Sequence, residues 1–85
     1  MQINGKIVCI TGILPVPRRV AAEMITKTGG VFATHVTKRT DILVVGTFPR
    51  GITTTAKYTA ATKWIARGHP ITLMSPSEFL SSIEQ

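Results

Sequence analysis

Residues Val36 to Gly46 read V-T-K-R-T-D-I-L-V-V-G, a polar segment, Thr37-Lys38-Arg39-Thr40, running into the apolar run Ile42-Leu43-Val44-Val45 and stopped by glycine. The polar part has turn chemistry, and the apolar part lacks the alternation of a strand with one wet face. An unbroken β-branched run of this length predicts a strand covered on both faces, as in a parallel sheet packed between helices. The same signature stands upstream in Lys6 to Ile10, K-I-V-C-I, which ends at Thr11-Gly12.

Outward from these two strands the chain alternates. After Gly12, the prolines of Ile13-Leu14-Pro15-Val16-Pro17 exclude a helix interior. Arg18 to Thr28 then carries Val20, Ala21, Met24 and Ile25 at helical spacing, with Pro17 expected at the first helical position. Gly29-Gly30 stops that helix, because glycine enters the left-handed conformation without a Cβ penalty. Val31-Phe32-Ala33 reads as a short, weak strand. Downstream, Thr47 to Thr55 is a loop broken by Pro49 and Gly51, and its threonines can cap a helix from Ala56 to Arg67. That helix places Ala60, Ala61, Trp64 and Ile65 on one side. Pro70 to Met74 is a fourth strand whose proline suits an edge. Ser75-Pro76-Ser77-Glu78 is a helix start with Ser75 as N-cap, Pro76 in the first position and Glu78 completing a capping box; Phe79, Leu80 and Ile83 form the apolar side beyond it. Strands alternating with helices imply βαβ crossovers, and so an α/β fold with a parallel sheet.

The 85 residues suit one small domain, residues 1–85, with one modest core. Hydrophobic residues at 44% against 16% charged describe a folded chain, since disorder needs the opposite balance. No apolar run is long enough to span a membrane and no secretory signal pattern is present, so an intracellular protein without membrane association is expected. The net charge of +6 favours polyanionic partners through long-range attraction. Cys9 lies in an apolar run where a small buried thiol is commonplace.

Ligands of open α/β sheets gather at the carboxyl ends of the strands, where helix N-termini also point. Thr11 and Gly12 end the first strand there, with a hydroxyl and an unshielded backbone amide. The first helix opens with Arg18-Arg19 and the second with Lys57, and neither opening contains an acid. Cations at a helix N-terminus oppose the macrodipole by roughly 0.3 to 1 kcal/mol. A bound phosphate would turn that opposition into cooperation, accepting from the hydroxyl, the amide, an arginine fork and the lysine ammonium. From spacing alone a second reading stands beside it, in which Thr11-Gly12 is an ordinary strand-ending turn and the cations are solvated.

Read end to end, G-K-I-V-C-I-T-G, G-G, V-T-K-R-T-D-I-L-V-V-G, the lysine opening the second helix and P-I-T-L-M-S-P-S-E-F-L together resemble a BRCT domain from Asn4 to about Ile83. The stretch Val36 to Gly46 is similar to one shared by the BRCT domains of bacterial NAD-dependent DNA ligases and of the eukaryotic clamp-loader large subunit. The resemblance implies a four-stranded parallel sheet in order 2-1-3-4, with one helix on one face and two on the other. It also implies that Thr11, Gly12 and Lys57 hold a phosphate, with Arg19 beside it as in the DNA-binding members. The chain departs from the family in the third helix, where Phe79 stands at a usual tryptophan, and in the longer loop from Thr47 to Thr55. Trp64 is expected to pack on the sheet or lie half exposed, not to serve as a base-stacking platform.

The expected function is a non-catalytic module of DNA replication or repair that binds a 5′-phosphate at a DNA end or nick. Arg18, Lys38, Arg39, Arg50 and Lys63 are candidates for further DNA-backbone contacts. The alternatives are a phosphopeptide reader or a protein-interaction module within a ligase, nuclease or clamp-loader assembly. An enzyme is disfavoured: Glu23, Asp41, Glu78 and Glu84 fall on separate elements, and His35 and His69 have no partner at metal-ligand spacing. No metal and no cofactor is expected.

Overall fold

The computed structural model describes residues 3–83, so Glu84 lies outside the described residues. The elements run β1 (Ile7–Thr11), α1 (Arg18–Lys27), β2 (Val31–Phe32), β3 (Ile42–Val45), α2 (Ala56–Ala66), β4 (Thr72–Met74) and α3 (Pro76–Ile83). The strands form one sheet in order β2-β1-β3-β4, every pair parallel. The two continuous apolar runs are its interior strands, and the two short, weak strands are its edges.

Register explains why the interior strands lack polar alternation. Val8 pairs with Ile42 and Ile10 with Val44, all on the face packed by Ala21 and Ile25 of α1 and Phe79 of α3. Cys9 pairs with Leu43, on the opposite face, which α2 covers with Ala61, Tyr58 and Trp64. Successive side chains enter different cores, so each position must be apolar. Phe79 is 0% exposed and heads the fully buried side chains by volume among the described residues, so it is the main filler of this core. Trp64 is half-buried, with Arg67 over its ring and His69 against its edge.

The turn before β3 is held by its own threonines. Thr40 Oγ1 accepts from the Thr37 N–H (2.9 Å) and Thr37 Oγ1 from the Arg39 N–H (3.1 Å). Asp41 Oδ2 then accepts from the Ile7 N–H at 2.8 Å, fixing the start of β1 against β3. At the other end, Ser75 Oγ accepts from the Glu78 N–H and Glu78 Oε1 from the Ser75 N–H, a complete capping box.

Several boundaries move. β1 begins at Ile7 and includes Thr11, because Thr11 still pairs with Val45. Pro17 is the N-cap of α1, with ψ at 147°, so Arg18 holds the first helical position. β2 stops at Phe32 and β4 starts at Thr72, as edge strands have fewer ladder partners to extend them. Ile65 is exposed; the Tyr58, Ala61, Trp64 spacing aims α2 at the sheet and turns Ile65 away.

Candidate functional site

The two interior strands end in glycine turns that pack backbone to backbone. Gly12 has φ +79°, and a Cβ there would lie 2.9 Å from the carbonyl carbon of Gly46. A Cβ on Gly46 would collide in turn with the Ile13 backbone. Beyond the glycines the chains form an antiparallel bridge, Ile13 N–H to Thr47 O at 2.7 Å and Thr47 N–H to Ile13 O at 2.9 Å. Among the described residues nothing accepts from the Gly12 N–H.

The shortness of β2 creates the polar part of the site. Along the side of β1 that faces β2, Val8 O accepts from Ala33 N–H, but β2 is over before it reaches Ile10. The Ile10 carbonyl therefore has no ladder partner there, and a buried carbonyl without one is unfavourable by roughly 1 to 3 kcal/mol. Side chains from both faces of the sheet reach it instead. Lys57 Nζ, from the first turn of α2, donates to Ile10 O at 3.0 Å, and Arg18 Nη1, from the first turn of α1, approaches it at 3.4 Å. Arg18 Nη2 also donates to Gly12 O at 2.8 Å.

The result is a pair of cations held close together with only carbonyls between them. Burial pushes the Lys57 ammonium below the ordinary lysine range, and the Arg18 guanidinium pushes it further, with the Cys9 sulfur opposing. No carboxylate contributes to that balance. Neither α1 nor α2 has an acid in its first turn, and α1 has no side-chain cap. Thr11, 4% exposed, joins its hydroxyl to that of Thr55 at 2.5 Å, and Thr55 in turn caps α2 by accepting from Tyr58 N–H at 3.2 Å.

Thr11, Gly12 and Lys57 thus come together, and with them Arg18. Arg19 is exposed beside the cluster, and its side chain has no hydrogen bond among the described residues. Arg50, in the β3–α2 loop, is exposed at the same end of the sheet. Lys38 and Arg39 sit before β3, at the amino ends of the parallel strands, and Lys63 lies in the last turn of α2. These last three stand away from the cluster. Thr55 is the member that sequence reading did not single out; its signal was a threonine immediately before a helix that opens Ala-Lys.

Cys9 is fully buried, its thiol donates to the His35 carbonyl at 3.2 Å, and burial pushes its pKa up, which leaves no reactive thiolate. No group of His, Cys, Asp and Glu able to hold a metal ion is found among the described residues. No helix of the described residues is long and apolar enough to cross a membrane.

A four-stranded parallel sheet in this order, with helices at the carboxyl ends presenting cations around a glycine turn, defines a small α/β binding fold. Residues 2–83 match the BRCA1 C Terminus (BRCT) domain family, and the chain belongs to it. It is 36% identical over 78 residues to a DNA ligase of Petrotoga mobilis, covering 91% of this chain and 10% of that ligase. It is 47% identical over 47 residues to a DNA ligase of Thermodesulfovibrio yellowstonii, covering 55% of this chain and 7% of that ligase. The chain thus corresponds to a tenth or less of the curated relatives it matches.

Proposed function

We propose that this BRCT domain is a non-catalytic DNA-binding module of replication or repair that holds the 5′-phosphate of a DNA end or nick. The observation that carries this reading is the convergence of Lys57 and Arg18 on the Ile10 carbonyl, from helices on opposite faces, without a carboxylate to neutralise them. Two cations sharing one acceptor are poised for an anion that brings several acceptors at once. Phosphate fits: the ammonium and the guanidinium donate from the two sides, and the unpartnered Gly12 N–H donates from the turn. If Thr55, which already accepts from Tyr58, donates to Thr11, then Thr11 retains its own proton as a donor.

Of the paired arginines we assign Arg18 to the phosphate, because it already bonds the carbonyls that rim the site. Arg19 and Arg50, exposed at the same end, are assigned to flanking DNA backbone, and contacts by Lys38, Arg39 and Lys63 are not required. The net charge of +6 and the likeness to DNA ligases support a nucleic acid over a peptide ligand.

The test is a titration with 5′-phosphorylated duplex, the same duplex without phosphate, and a phosphopeptide. The phosphorylated duplex is expected to bind most tightly. Equal binding of the two duplexes would remove the phosphate site, and preference for the phosphopeptide would replace DNA as its ligand.

A further inference from the structure

Next to the cation site, the loop between Gly12 and Arg18 is built entirely from apolar residues, Ile13-Leu14-Pro15-Val16-Pro17. Leu14 and Val16 pack into the core under α1, and the alternation leaves Ile13, Pro15 and Pro17 exposed. Ile13, at 59%, is the most exposed of the large hydrophobic side chains among the described residues. An outward apolar run in a loop is unfavourable in water and marks a contact surface when it is also ordered.

This loop is held rigidly. Ile13 exchanges both backbone hydrogen bonds with Thr47, the prolines fix φ and present no N–H, and the Arg18 guanidinium closes the neck of the loop onto Gly12 O. The loop borders a hollow of about 400 Å³ whose lining includes Gly12 and Arg18, so the apolar wall adjoins the cation site along its Arg18 rim. No side-chain donor or acceptor occurs between Ile13 and Pro17, which excludes hydrogen-bonded reading of base edges. What such a wall accepts is a flat apolar face whose neighbouring atoms carry a phosphate.

We propose that the loop from Ile13 to Pro17 is a preformed ledge that packs against the exposed face of the terminal base pair of a DNA end, while the 5′-phosphate of that pair occupies the neighbouring cation site. This rests on the phosphate reading given above and narrows it. Only an open end presents an uncovered base face beside a terminal phosphate; inside a duplex, and at a closed nick, the next pair covers that face. The ledge therefore selects ends over closed nicks.

The full 85-residue chain and its Ile13→Ser variant are titrated with duplexes whose terminal pair is either normal or replaced by abasic tetrahydrofuran residues, each with and without 5′-phosphate. Serine can keep both backbone bonds to Thr47, and the side chain it replaces is mostly exposed and outside the core clusters. Loss of the terminal bases is expected to weaken binding by the unaltered protein roughly fivefold, the scale of an aliphatic side chain's lost apolar contact. Ile13→Ser is expected to abolish that difference while keeping its preference for phosphate. Equal sensitivity of both proteins to the abasic end, or none in the unaltered protein, overturns the ledge even if phosphate is still preferred. If the unaltered protein ignores phosphate yet shows an Ile13-dependent response to the abasic end, the ledge stands and the phosphate site falls.

Discussion

At the scale of single residues, the polar end of β1 shows how one missing backbone partner organises a site. Lys57 satisfies the Ile10 carbonyl and in doing so loses hydration beside Arg18, so its folded-state pKa lies below that of the unfolded chain. The unfolded state holds that proton more tightly. Stability therefore rises with pH as Lys57 deprotonates between its folded and unfolded values, and the penalty is fully present below the folded value. A bound phosphate acts in the reverse sense by favouring the ammonium. Phosphate-dependent affinity is accordingly expected to fall as pH rises through the folded-state pKa, a trend that binding titrations across neutral to alkaline pH will reveal and that Lys57→Ala will lack. At neutral pH, Lys57→Ala removes a charge-assisted bond of roughly 1.5 to 3 kcal/mol, about tenfold or more in affinity for the phosphorylated duplex. Thr11→Ala is expected to lose the same phosphate-dependent part; full retention in both variants is incompatible with the site assignment.

Gly12 belongs to the same scale. Its φ of +79° and the 2.9 Å approach of an added Cβ to the Gly46 backbone act together, and neither neighbour is a flexible side-chain end that can move aside. Gly12→Ala is expected to lower stability by about 2 kcal/mol or more in denaturant unfolding, from the left-handed backbone and the clash combined. Gly51 also has positive φ, but a Cβ there meets nothing, so Gly51→Ala should lose only the conformational part, about 1 kcal/mol.

Among the elements, β2 and α3 differ most in how they are specified. β2 is two residues long, and its early end is what exposes Ile10 O to cations from both helices. Lengthening β2 would supply a ladder partner and release Lys57. α3 is specified locally, through the reciprocal bonds of Ser75 and Glu78. Ser75→Ala is expected to cost about 1 kcal/mol, the usual value of an N-cap. The backbone N–H and then the hydroxyl of Ser75 hold the Glu78 carboxyl below the usual carboxylate range. Its contribution is present above the unfolded-state pKa and is lost as pH falls through the lower folded-state value. In acid unfolding curves, Glu78→Gln should flatten that part of the pH profile and leave the neutral region little changed.

For the whole molecule, the parallel topology sorts the charge. Lys57, Arg18, Arg19 and Arg50 stand at the carboxyl ends of the strands, whereas Lys38 and Arg39 stand at the amino ends. If DNA ends are held where proposed, Arg18→Ala and Arg19→Ala should each reduce the slope of log affinity against log salt by about 1. Lys38→Ala and Arg39→Ala should leave the phosphate preference unchanged. A uniform loss from all four variants would mean that DNA lies along the side of the domain and not at its end.

Much of this molecule was legible in its sequence because local physics speaks for it. The runs Ile7 to Ile10 and Ile42 to Val45 must be interior strands, since both of their faces are apolar, and Gly29-Gly30, Ser75 and Glu78 carry their boundaries in their own chemistry. The gathering of Thr11, Gly12 and Lys57 was legible as well, through the rule that parallel strands and the helices after them meet at one end. The choice between Arg18 and Arg19 was not, because adjacent residues at a helix start point about 100° apart and only the packed angle of α1 decides which one faces the sheet. Nor was the role of Ile10 O, whose acceptor is left open by the length of a different strand. Sequence by itself determined the elements, their order and the family, as properties of neighbouring residues; tertiary structure decided which arginine joins the lysine, which cations are left at the far end, and which loop stands as a rigid wall beside them, because each depends on groups brought together from distant parts of the chain.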